Sequence, residues 1–165
     1  MNYNIFVVCY LYGVIELNLF DDIDVKATAE NVDNFLKNKF PHLLLRCGRG
    51  LTDLSSPQLS LAPAHNNVSH QEDSIINALG IEPVVQAVHH TIYHCSSISR
   101  IILLDIYIHQ YTVDRTLMDL PYERSQYFHK LKPQALLEFA DCYDYWQREC
   151  GVDASNIIDL HIPIK

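Results

Sequence analysis

The sequence predicts an all-α fold, and three observations predict it. Apolar residues recur at three- and four-residue steps over residues 25–40 and again over residues 75–108. Residues suited to helix starts stand where those patterns begin: Asp24, Pro83, Ser96 or Ser97, and Thr112. Of the 165 residues, 48% are apolar, enough to bury a core and to exclude a chain that is disordered throughout.

The first helix follows Asp21, Asp22 and Asp24, whose charge suits the positive end of a helix dipole. Val25, Ala29, Val32, Leu36 and Phe40 form its apolar face, Lys37 and Lys39 stand near its far end, and Pro41 interrupts it. Residues 52–70, TDLSSPQLSLAPAHNNVSH, hold no lasting period and read as a linker. Beyond it Ile75, Ile76 and Leu79 form a short turn that Gly80 ends, and Pro83 opens a helix bearing Val84, Val85, Val88, Ile92 and Tyr93. Ser96 or Ser97 caps the next helix, whose Ile98, Ile101, Ile102, Leu104, Ile106 and Ile108 place it centrally.

Thr112 then caps a short helix with Arg115 exposed and Val113, Leu117, Met118 and Leu120 facing inward. Leu120-Pro121 makes a turn, and residues 122–131, YERSQYFHKL, form a second helix. Two short helices across a tight turn, backed by an apolar helix, are the layout of a helix-turn-helix over residues 97–132. The second helix must pack on one side, through Tyr127 or Phe128 with Leu131, and present donors and acceptors on the other. Arg124, Ser125, Gln126 and His129 suit base edges, since Arg pairs with guanine and Gln with adenine in the major groove. Arg115, Lys130 and Lys132 suit phosphates. An ordinary helical hairpin with a solvated polar face fits the same spacing.

The formal charge of -8 runs against phosphate binding, so the local placement of Lys and Arg decides more than the total. Residues 122–132 carry Arg124, Lys130 and Lys132 against Glu123 alone. The five cysteines, 9, 47, 95, 142 and 150, have no short metal-type spacing and read as reduced thiols in a cytoplasm. His89, His90, His94 and Cys95 invite a zinc reading, but a fourth ligand is not evident, and no metal or cofactor is expected. The sequence lacks a Gly-rich phosphate loop and a G-x-S-x-G elbow, and the spacing of Asp105, Asp119 and Glu123 selects no acid/base set, so an enzyme is not expected.

Read together, LNLFDDIDVKATAENVDNFL (17–36), DLSSPQL (53–59), SHQEDSIINALG (69–80), CSSISRIILLDIYI (95–108) and QALLEFADCY (134–143) resemble the ArpU-like phage transcriptional regulators. That family is similar in its C-terminal half to region 4 of sigma factors. The resemblance implies an all-helical activator of late phage or prophage genes in the cytoplasm of a Gram-positive host. It also implies double-stranded DNA as partner, with Arg124, Ser125 and Gln126 early in the reading helix and His129 and Lys130 one turn on. RNA polymerase and a second copy of the chain are further expected partners; a membrane is not. The alternative is a sigma-like interaction protein that acts through RNA polymerase without DNA specificity of its own.

Three departures from the family pattern carry expectations. Pro121 stands where the family often has Gly. Pro133 should end the reading helix near Lys132 and start another. Residues 1–16 and 147–165 lie outside the resemblance. Residues 5–15, IFVVCYLYGVI, are too short to span a bilayer and lack the basic front end of a secretory signal. A core strand or buried turn is one reading; the favoured one is an extension upstream of a working chain that begins near Glu16. The resulting organisation is an extension (1–16), an N-terminal helical region (17–51), a linker (52–70), a helix-turn-helix DNA-binding domain (71–149) and a tail (150–165). The apolar residues of the tail either meet a partner chain or fold back.

Overall fold

A computed structural model describes residues 23–59 and 73–164, with the side chains of 73–79 left out. The fold is all-α. Helix α1 covers residues 25–46, as an α-helix over Val25–Asn34, a wider π-turn over Phe35–Lys39 and an α-helix again over Phe40–Arg46. A 3-10 turn, Leu51–Ser55, follows. Helix α2 is Asp73–His94. Helix α3 covers residues 97–108 and ends in a π-turn over Leu104–Ile108. Helix α4 is Val113–Met118. Helix α5 covers residues 124–149, with a π-turn over Tyr127–Leu131. Among the described residues no strand forms; Ile23 and Pro163 make a lone antiparallel bridge. No described helix is long and apolar enough to cross a membrane.

Helix α5 is the central element, packed along α1, α2 and α3. Its Leu136, Phe139, Ala140 and Tyr143 are buried with Phe35, Leu36 and Phe40 of α1, Val88 and Ile92 of α2, and Ile102 and Leu103 of α3. The Phe35 ring lies 5.6 Å from Tyr143 and 6.2 Å from Phe40. The N-terminal and C-terminal segments therefore share one apolar core. The part of the 52–70 stretch that is described, up to Leu59, packs on that core as well. Leu54 is buried, Tyr93 donates its hydroxyl to the Ser55 carbonyl at 2.8 Å, and His89 Nε2 donates to the Ser56 carbonyl at 2.8 Å.

Three helix breaks expected from proline and glycine are absent. Pro41 and Pro133 lie inside α1 and α5, each just past a π-turn. In a regular α-helix the Pro133 ring would press on the His129 carbonyl. Here the Lys132 N–H reaches back five residues to the Tyr127 carbonyl, and the widened turn accommodates the ring. Phe40 N–H reaches Phe35 in the same way before Pro41. Gly80 and Pro83 sit within the single helix α2, where burial of Val84, Val85 and Val88 outweighs their weak propensity. The segment 1–16 lies outside the described residues.

The tail folds back on its own chain. Val152 and Leu160 are buried. The Gln147 side chain clamps Ile158 by accepting from its N–H at 2.8 Å and donating to its carbonyl at 3.0 Å. Thr28 Oγ1 accepts from the Ile162 N–H at 3.0 Å, and Asn31 donates to the Leu160 carbonyl at 3.0 Å.

These burials predict an acid response in two stages. Burial, with His90 and His94 adding to it, holds His89 below its ordinary 6.5 against the opposing Ser56 hydrogen bond. A depressed histidine contributes stability that is complete above 6.5 and lost as pH falls toward its folded value, because the unfolded chain takes the proton first. Burial would raise Asp33 and Glu138, but hydrogen bonds outweigh it and hold both below their ordinary values of 3.8 and 4.5. Their contribution is lost only below about pH 4. Urea midpoints measured from pH 8 to 3 should fall in these two steps, and His89→Gln should flatten the first.

Candidate nucleic-acid interface

The region expected to read DNA is built by the end of α3, α4 and the start of α5. Helix α3 closes on a C-terminal cap. The His109 N–H bonds the Leu104 carbonyl, Gln110 adopts φ 56°, and the Tyr111 N–H returns to the Asp105 carbonyl at 2.7 Å. This left-handed residue turns the chain into α4. Thr112 then caps α4, its side chain accepting from the Arg115 N–H at 3.3 Å. Thr116 and Leu120 are buried, and Val113 and Leu117 are half-buried. Met118, expected to face inward, is 76% exposed, because a six-residue helix turns that position away from α3. The turn covers residues 119–123 with Pro121 exposed, and Glu123 takes the extended N-cap position of α5. The second helix thus starts at Arg124 rather than Tyr122.

At the start of α5, Arg124, Ser125, Gln126, His129 and Lys130 are all exposed. Tyr127 and Leu131 are buried beneath them, and Phe128 is 44% exposed. The helix therefore has the two faces the sequence demanded of it. Its position is held by a polar network on the buried side. The Lys132 ammonium lies 2.8 Å from Asp33 Oδ1 of α1, Tyr107 of α3 donates its hydroxyl to the same oxygen at 2.5 Å, and Lys37 holds Oδ2 at 2.8 Å. Burial, followed by the Asp33 and Asp105 carboxylates, pushes the Tyr127 hydroxyl up to about 12. That hydroxyl and Asp105 Oδ2 are buried and without a hydrogen-bond partner among the described residues.

The electrostatics differ from a simple basic patch. Arg124 pairs with Asp114 of α4 and lies 5.7 Å from the Phe128 ring centre. Arg115 pairs with Asp119 at 3.6 Å and lies 5.9 Å from the Tyr111 ring. Lys132, expected on the phosphate side, is only 21% exposed and committed to Asp33. Sequence reading missed Asp114, Asp33 and Tyr107. The Asp114–Arg124 pair crosses a turn and had a local signal. The Asp33–Lys132 pair joins distant segments and had none.

The histidine-rich end of α2 is a ring cluster. His90 stacks on Trp146 at 4.9 Å and 16°, and His94 lies 4.3 Å from the same indole. Among the described residues no three metal-ligating side chains are gathered into one group. No family model, no curated protein and no solved structure matches the chain.

Proposed function

We propose that the chain is a DNA-binding transcriptional regulator, an activator of late phage or prophage genes, that reads duplex DNA with the first two turns of α5. The observation that carries this reading is the exposure of Arg124, Ser125, Gln126 and His129 on a helix start whose other side is buried, behind a Thr112-capped helix and a five-residue turn. The resemblance to the ArpU-like regulators supports the gene class. Base contacts come from these four residues, and phosphate contacts from Arg115 and Lys130. Lys132 serves instead as the anchor of the helix to α1.

Selection from a randomised duplex library at low salt tests the reading. A recovered motif that loses enrichment at least tenfold in Arg124→Ala with Lys130→Ala is the expected result. With only two phosphate contacts the affinity should vary with salt by a slope of roughly -2. Retention of no DNA overturns the proposal.

A second reading has its own support. Arg115, Arg124 and Lys132 are each neutralised by a carboxylate of this chain, and the total charge is -8. Such a surface suits a basic protein partner, such as RNA polymerase. Capture of polymerase without DNA retention would favour it.

A further inference from the structure

A cleft lies where the end of α1, the middle of α2 and the tail meet. Leu43 and Arg46 of α1, Gly80, Ile81 and Val84 of α2, and Asn156 with Ile158 of the tail line a space of about 350 Å3. Its walls are apolar and firmly placed. Leu43, Ile81 and Ile158 pack against the main core, and Val84 is buried. The Gln147 side chain holds the tail wall by bonding both the N–H and the carbonyl of Ile158. The cleft therefore lies by the C-terminal end of α5, away from the candidate interface at the start of that helix.

Two independent features mark this cleft as a site rather than a packing gap. The first is Arg46. Arg49, Arg115, Arg124 and Arg148 each hold a carboxylate of this chain, and Arg100 donates to the Tyr93 carbonyl. Among the described residues Arg46 is the one arginine without a partner, and it stands exposed at the rim of the cleft. In a chain of net charge -8 an unpaired arginine has many acids to choose from. The second feature is Gly80. It stands inside helix α2, where glycine weakens a helix relative to alanine. A Cβ there would meet no neighbouring atom within 4 Å, so core packing does not demand glycine. Its missing side chain leaves the cleft open.

We propose that this cleft binds a small amphipathic carboxylate, its apolar part against Leu43, Ile81, Val84 and Ile158 and its carboxylate on the Arg46 guanidinium. A guanidinium forks onto a planar carboxylate with two parallel N–H bonds. One unpaired positive charge balances one negative charge, which suits a carboxylate rather than a doubly charged phosphate. Asn156, exposed at the same rim, adds a neutral amide donor. An apolar cavity of about 150 Å3 takes up benzene, so this larger cleft accommodates a carboxylate of about eight carbons. The site shares no residue with the candidate interface and stands whether or not the chain reads DNA.

The test is calorimetric titration of the full-length protein with octanoate, octanol and octylammonium, with methyl NMR spectra to locate the binding. Octanoate should bind at one site and shift the methyl signals of Leu43, Ile81, Val84 and Ile158. Octylammonium should bind at least about tenfold more weakly, since it meets Arg46 with like charge. Arg46→Gln should weaken octanoate by about tenfold and leave octanol unchanged. Gly80→Leu should abolish binding of both while the Tm stays at or above that of the wild type, because leucine is the better helix former. Octanoate that shifts none of these methyls, equal binding of octanoate and octylammonium, or an unchanged octanoate affinity in Arg46→Gln overturns the proposal. The exposed position of Arg46 keeps that variant decisive if Gly80→Leu folds poorly.

Discussion

Replacing Phe35 with Ala should destabilise the fold by about 3–5 kcal/mol, the usual cost of deleting a buried phenyl ring. Phe35 is 0% exposed, sits at the first position of a π-turn and touches Phe40 on its own helix and Tyr143 on α5. Close packing prevents the site from collapsing around the missing ring without moving both helices. For a chain of this length the Tm should fall by roughly 10–15 °C. The shape of the transition carries more information than its midpoint. Trp146, the only tryptophan, lies on α5, and α1 lies at the other end of the chain. With one shared core, indole fluorescence and far-ultraviolet dichroism should move together to the lower midpoint. An early loss of helix signal with the indole transition unmoved would show instead that residues 25–46 fold as a separate unit.

That outcome bears on what could be read from the chain. The helical periodicity over 25–40, 84–94 and 98–108 was legible because it is a local pattern, and the Asp24 and Thr112 caps were legible because capping is settled within four residues. The continuity of α1 and α5 through Pro41 and Pro133 was not. Proline's missing donor argues for a break in any regular helix, and only a wider turn just before it removes the clash. Nothing in FLKNK or YFHKL announces that turn. The fold-back of the tail was left open, because its hydrogen bonds from Gln147, Thr28 and Asn31 join segments that only the fold brings together.

The candidate site divides along the same line. Exposure of Arg124 to Gln126 and burial of Leu131 with Tyr127 or Phe128 were expected from helical spacing, and of the two aromatic residues it is Tyr127 that is buried. Lys132 was assigned to the phosphate side because it lies near Lys130 in sequence. The π-turn and the position of α1 bring it to Asp33 instead. Charge counting over residues 122–132 saw an excess of cations. The structure removes Lys132 through α1, and Asp114 offsets Arg124 from α4, outside the window counted.

Asp33→Ala should cost about 2–3 kcal/mol, less than a fully buried pair because Asp33 and Lys132 keep 25% and 21% of their side-chain surface exposed. The substitution strands the Tyr107 hydroxyl, which belongs to a residue only 3% exposed, and leaves Lys132 beside an apolar core. Asp33→Asn keeps an acceptor for Tyr107 and loses the charge, so about half the cost should return. The difference between wild type and Asp33→Ala should be constant above the ordinary carboxylate value of 3.8 and shrink as pH falls through the lower folded value, since the wild type then loses the same charge by protonation.

Lys132→Met separates the two roles assigned to that residue. It keeps the apolar stem and deletes the ammonium, so a positioning role predicts a loss of stability of about 1 kcal/mol with an unchanged salt slope for DNA binding. A phosphate ligand predicts the converse: stability nearly unchanged and a salt slope shallower by about one unit. Because Asp33 can be removed independently, the double substitution decides between them. In the positioning case its cost should fall short of the sum of the two single substitutions, each of which already breaks the same ion pair.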